Sequence, residues 1–216
     1  MTFKAAAVQF AVVAGLMVSG GSVLAQEKPL QLVGFGDSLM AGYQLPETDA
    51  LPAQLQVRLR ARGIDAVVFN AGVSGDTSAA GLSRVDWSVP DGTDGVVLEL
   101  GANDALRGIA PEQTEKNLEE IIVRLRDRDI PVLLVGVVVP PNMGADYAAR
   151  FNPIYARLAE KYRLPLYPFI LDGVVLQPGL QLEDGMHPNG KGVGVMADRM
   201  LPVVEQFSRT IMDKAK

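Results

Sequence analysis

Five short apolar runs, at residues 30–35, 66–69, 96–100, 132–139 and 166–170, recur along the chain with room for a helix between successive runs. This alternation limits the fold more than any other feature. Each run is rich in Val, Leu and Phe without strict polar alternation, the pattern of a strand covered on both faces. Helical patterns lie between and after them. Leu51, Leu55, Val57 and Leu59 share one segment, with Pro52 near its first turn. Leu118, Ile121, Ile122 and Leu125 mark another, which Pro111 opens and in which Glu112 and Glu115 favour the positive helix end. A third runs from about residue 146 to 162 and a last from about 190 to 210, where Pro153 and Pro202 are expected to kink or split the helix. The resulting order, β-α five times over, predicts an α/β fold: a three-layer α/β/α sandwich around a central five-stranded parallel sheet, because each parallel crossover needs a long connection.

Before the first run, Lys4, an apolar stretch at residues 5–18 and the small-residue site Val23-Leu24-Ala25 read as a secretory signal at residues 1–25. The stretch is short of the roughly 20 residues a spanning helix needs and is followed by Gly20 and Gly21, so no stable membrane insertion is expected once the signal is removed. A periplasmic or secreted protein follows, with residues 26–216 as a single domain. Composition narrows the chemistry. With no cysteine and one histidine, thiolate nucleophiles, Cys-ligated zinc and sites built on several imidazoles are excluded, and neither metal nor cofactor is expected. The formal charge of −5, with no stripe dense in Lys or Arg, lacks the footprint of a nucleic-acid binder. The oligomeric state is left open, with a monomer favoured.

In parallel sheets of this kind, ligands bind outside the carboxyl ends of the strands. Four segments just after strands carry polar residues: Gly36-Asp37-Ser38-Leu39, residues 70–77, Gly101-Ala102-Asn103-Asp104, and residues 184–189. A serine hydroxyl needs a neighbouring base, the base an orienting partner, and the developing oxyanion a set of donors. Ser38 sits where the first strand turns, and His187 is the only imidazole, so a serine hydrolase leaves one choice of base. Asp184 lies three residues before it, within reach of the ring nitrogen facing away from the serine. Candidate oxyanion donors are the N–H of Ser38, the N–H of Gly75 and the side-chain amide of Asn103.

These blocks, in this order, resemble the SGNH, or GDSL, hydrolase superfamily. The fuller strings Gly36-Asp37-Ser38-Leu39-Met40-Ala41-Gly42-Tyr43, Ser74-Gly75-Asp76-Thr77-Ser78 and Asn103-Asp104-Ala105-Leu106-Arg107-Gly108 resemble its periplasmic thioesterase, lysophospholipase and arylesterase branch. The resemblance implies a flavodoxin-like sheet, Ser38 as nucleophile, His187 as base, Asp184 as its partner, and Ser38, Gly75 and Asn103 around the oxyanion. It also implies an ester, thioester or lysolipid substrate. Met40 departs from the serine common in that branch and bears on the pocket wall.

Each block alone has a plainer reading: a turn at Gly36-Asp37-Ser38, a helix start at His187-Pro188-Asn189, a cap at Asn103, a positive φ at Gly75. Gly72 competes with Gly75. Leu106, Ile109, Met143 and Tyr147, on loops after strands, are candidates for an acyl pocket. Gly192-Val193-Gly194 matches a dinucleotide fingerprint but lies in the last helical segment with no strand before it, so it is set aside. The expected activity is a secreted serine esterase acting on carboxylic esters or thioesters. The alternatives are a carbohydrate deacetylase on the same scaffold and a binding module without turnover.

Overall fold

A computed structural model describes residues 28–214, so the predicted signal lies outside the described residues. In chain order the elements are β1 (Leu30–Gly36), α1 (Ser38–Ala41), α2 (Leu51–Ala61), β2 (Ala66–Gly72), α3 (Ser78–Ser88), β3 (Gly95–Glu99), α4 (Ala102–Leu106), α5 (Pro111–Asp127), β4 (Val132–Val135), α6 (Ala145–Phe151), α7 (Ile154–Tyr162), β5 (Leu166–Tyr167) and α8 (Gly190–Lys214). The strands form one parallel sheet in the order β2-β1-β3-β4-β5. That is the flavodoxin-like order.

Right-handed crossovers then dictate the layers. The step from β1 to β2 runs opposite to every later step, so α2 lies on one face, where it packs against α8. The helices of the later crossovers take the other face, where α3 packs against α5, and α5 against α6 and α7. Between the layers Leu32, Phe35, Leu98, Leu118, Ile121 and Phe151 are fully enclosed. Truncating such a side chain to alanine typically costs about 2–5 kcal/mol. No helix among the described residues is long and apolar enough to cross a membrane.

The last two apolar runs overstate their strands. β4 ends at Val135 and β5 at Tyr167 because the register slips there: Gly136 still donates to the Tyr167 carbonyl at 2.8 Å, but its own carbonyl accepts from Ile170 rather than Phe169, and it passes so close to Pro168 that a Cβ would lie 2.2 Å from the proline carbonyl oxygen. β2 instead runs on to Gly72, and β3 starts one residue early. Pro153 does split the third helical segment into α6 and α7. Pro202 does not split the last, which continues unbroken through it. Both Pro202 and Asp198, whose carbonyl loses its helical donor, are exposed, so the missing hydrogen bond falls on the outer face of the helix rather than in the core. Val57, placed with the apolar face of α2, is instead exposed.

Candidate active site

The order in which strands are added reverses between β1 and β3, β2 lying on one side and the later strands on the other, and a crevice forms beyond the carboxyl ends of strands at such a reversal. Ser38 follows β1 and Asn103 follows β3, so both stand at this point. Gly36 is required by close approach: a Cβ there would lie 2.6 Å from both the carbonyl oxygen and Oε2 of Glu99. Asp37 then caps α1, its Oδ1 accepting from the N–H of Leu39 at 3.0 Å, and leaves Ser38 as the first helical residue. The turn is pinned from below, where the Asp37 N–H donates to Oε2 of the fully buried Glu99 at 3.2 Å.

Burial raises the Asp37 carboxyl above the usual carboxylate range, and burial followed by the Asp37 charge raises Glu99 well above it. Two adjacent carboxyls cannot both ionise cheaply, so Glu99 is the one that keeps its proton. Its Oε1 is buried without a hydrogen-bond partner among the described residues, which a neutral acid tolerates better than a carboxylate does.

The candidate base arrives from the far end of the chain. His187 Nε2 lies 3.0 Å from Ser38 Oγ, and Nδ1 lies 2.6 Å from Asp184 Oδ2. The carboxylate at Nδ1 fixes the ring proton there, which leaves the Nε2 lone pair facing the hydroxyl. Asp184 Oδ1 meanwhile accepts from the N–H groups of Met186 and His187, both at 2.9 Å, so one carboxylate closes the turn and aims the ring. Asn189 braces the same loop: its amide donates to the carbonyls of Gly179 and Gln181, and its Oδ1 accepts from the first turn of α8. Tyr43 covers the imidazole, with ring centroids 4.4 Å apart.

Hydrogen bonds from the His187 and Met186 N–H groups and from the imidazole lower the Asp184 carboxyl from 3.8 to about 2. The folded state therefore binds this proton less readily than the unfolded chain does. Asp184 adds stability that is fully present above about pH 4 and is lost as pH falls toward 2. Urea unfolding of wild type and D184N is expected to show a gap that narrows across this window; a gap unchanged at pH 2 would contradict the assignment.

The donors differ in availability. Among the described residues, no acceptor takes the N–H of Ser38 or Gly75. Gly75 has φ +86, and its carbonyl accepts from Arg107 Nη2 at 2.8 Å. The N–H of Gly72, its rival, is already given to Asn70 Oδ1 at 2.9 Å. Asn103 lies inside α4 and does not cap it; its Nδ2 donates to Asp37 Oδ2 at 3.1 Å and to the Asp76 carbonyl at 3.0 Å. A substrate oxygen would have to share or displace one of these. Of the pocket candidates, Ile109 and Tyr147 meet through a hydrogen bond from the tyrosine hydroxyl to the Ile109 carbonyl, and Met143 and Tyr147 pack against the core. Leu106 is half exposed.

Sequence reasoning missed the supports: Asp37, Glu99, Arg84, Tyr43 and Asn189. A groove of about 690 Å³ opens at the opposite end of the sheet, lined in part by Arg126, Tyr162 and Phe207. It contains neither the serine nor the histidine, so chemistry rather than volume locates the site.

Residues 35–195 match the model of the GDSL-like lipase/acylhydrolase family. The chain is 40% identical over 159 residues to an arylesterase of Vibrio mimicus, covering 73% of this chain and 80% of that protein. It is also 40% identical over 168 residues to Esterase TesA of Pseudomonas aeruginosa, covering 77% and 84%. Among solved structures, AlinE4, an SGNH-hydrolase family esterase, superposes with a TM-score of 0.72 at 42% identity, covering 84% of this chain and 98% of that one.

Proposed function

Because the chain belongs to the GDSL-like lipase/acylhydrolase family and is a hydrolase of ester bonds, we propose that Ser38 attacks small, apolar carboxylic esters or thioesters and carries their acyl group to water. The observation that supports this best is the unbroken relay from Ser38 Oγ through the imidazole to Asp184, at 3.0 and 2.6 Å, between groups 149 residues apart.

As Ser38 Oγ bonds to the carbonyl carbon, its proton passes to His187 Nε2. The oxyanion lies among the free N–H groups of Ser38 and Gly75 and the Asn103 amide. When the C–O or C–S bond breaks, the same proton leaves on the alcohol or thiol, and the acyl group stays on Ser38. Water then attacks, giving a proton to Nε2, and the second tetrahedral species collapses to free acid while Ser38 Oγ takes that proton back. Asp184 remains charged throughout and favours the imidazolium that forms at each step.

Each reacting segment also carries an exposed apolar side chain: Tyr43 after the nucleophile, Val73 before Gly75, Leu106 after Asn103 and Met186 beside His187. A rim of this kind favours hydrophobic acyl groups over acetylated sugars. The signal read at residues 1–25 supports action in the periplasm or outside the cell. Two measurements on the mature protein test the reading. A fluorophosphonate probe is expected to label wild type and not S38A; equal labelling of both would remove Ser38 as nucleophile. Across esters and thioesters of graded chain length, kcat/KM is expected to rise as the acyl chain lengthens from acetyl. A preference for acetylated glycans would overturn the substrate class.

A further inference from the structure

Arg84, on α3, is only 5% exposed, and its guanidinium makes four hydrogen bonds. Nε donates to Asp76 Oδ2 at 2.6 Å, Nη1 to the Ala71 carbonyl at 2.9 Å and to Ser88 Oγ at 3.2 Å, and Nη2 to the Gly36 carbonyl at 2.9 Å. The guanidinium carbon also lies 4.1 Å from the centre of the Phe35 ring. A buried cation is costly to desolvate, and an apolar side chain on this helix face would avoid that cost. The placement of the acceptors is informative. Gly36 stands two residues before Ser38 and is the last residue of β1 in register with β2. Asp76 directly follows Gly75, and its backbone carbonyl holds the Asn103 amide. The Gly36 carbonyl also accepts from the Val73 N–H at 3.0 Å; past that bond, among the described residues, no backbone hydrogen bond joins residues 37–38 to residues 74–77.

We propose that Arg84 is the positioning residue of the oxyanion hole: its guanidinium fork clamps the Gly36 and Asp76 segments together so that the Ser38 N–H, the Gly75 N–H and the Asn103 amide converge on one point. The inference rests on the reading of those three donors given above. The guanidinium works through geometry that lysine cannot supply, since a single ammonium cannot serve acceptors on three segments in fixed directions. It touches no substrate atom. Its effect is confined to the state in which charge has gathered on the substrate oxygen, so binding of the uncharged ester does not depend on it.

The test compares wild type, R84K and N103A as full chains, with active sites counted by fluorophosphonate labelling run to completion. In R84K, kcat per titrated site is expected to fall about 10- to 100-fold with KM near wild type, because small displacements of oxyanion donors have effects of this size. Affinity for a trifluoromethyl ketone, whose adduct with Ser38 carries the oxyanion, is expected to fall by the same factor. A merely structural arginine would lower the number of titratable sites and the melting temperature while leaving both per-site quantities unchanged, and that result would overturn the proposal. N103A separates the two levels of argument. If it loses activity while R84K does not, the hole stands and the clamp falls; if it retains full activity, the reading of the hole itself falls. Should R84K not fold, the same per-site measurements on D76A decide. This variant removes the side-chain acceptor of Nε while leaving the backbone carbonyl that holds Asn103, and wild-type values there would likewise overturn the clamp.

Discussion

Replacing Ser38 with alanine is expected to lower kcat by about 10⁶-fold, the scale seen when the nucleophile of a serine relay is removed. Ser38 Oγ is the hydroxyl that stands 3.0 Å from His187 Nε2, and the chain has no cysteine that could take its place. Residual turnover would come from the donors polarising the carbonyl toward water, worth about 10³–10⁴ over the uncatalysed rate. The fold is expected to change little, within about 0.5 kcal/mol, because among the described residues the hydroxyl bonds only to the half-buried imidazole. Kinetics with a chromogenic ester, set beside thermal melts, check both halves. Activity within tenfold of wild type would sink the mechanism.

The second large effect belongs to the base. H187A is expected to lose at least about a thousandfold in kcat/KM, since general-base activation of the hydroxyl and protonation of the leaving group both pass through Nε2. This is the only histidine of the chain, so no neighbouring ring can substitute. The cavity left beneath Tyr43 suggests a direct control, in which added imidazole is expected to restore part of the lost rate to H187A and nothing to S38A. A histidine with only structural duty would show the opposite: a lower melting temperature with normal turnover of the folded fraction.

The strands of the central sheet could be read from the chain because a strand buried on both faces is apolar throughout, and that needs no knowledge of its partners. The ends of β4 and β5 were not legible in the same way. Apolar residues continue past Val135 and Tyr167, and the ladder ends where Ile170 rather than Phe169 donates to the Gly136 carbonyl beside Pro168. α3 escaped for a related reason. Its buried face is Ser78, Gly81, Arg84 and Val85, so hydrophobic periodicity says little, and the clearest local signal is Thr77, whose side chain caps the helix at Ala80.

The three side chains that the structure brings together, Ser38, His187 and Asp184, were legible, since a single imidazole leaves one choice of base for a serine hydrolase. Their supports were not. Asp37 meets Glu99 across 62 residues and Arg84 meets Gly36 across 48, and such pairings exist only once the strand order is known. The Asn103 amide shows the same limit, because its commitment to Asp37 and Asp76 depends on where three loops come to rest.

The span between Ser38 and His187 also has a consequence in time. During synthesis the alcohol emerges early, just after the strand that later lies between β2 and β3, whereas its proposed proton acceptor waits on the loop just ahead of α8. A partly made chain is thus chemically silent, however much of its sheet has assembled. On the proposed mechanism, hydrolysis is expected to switch on only when the carboxyl-terminal helix docks beside α2, so that the appearance of turnover in a refolding experiment reports completion of the whole domain rather than of any part of it.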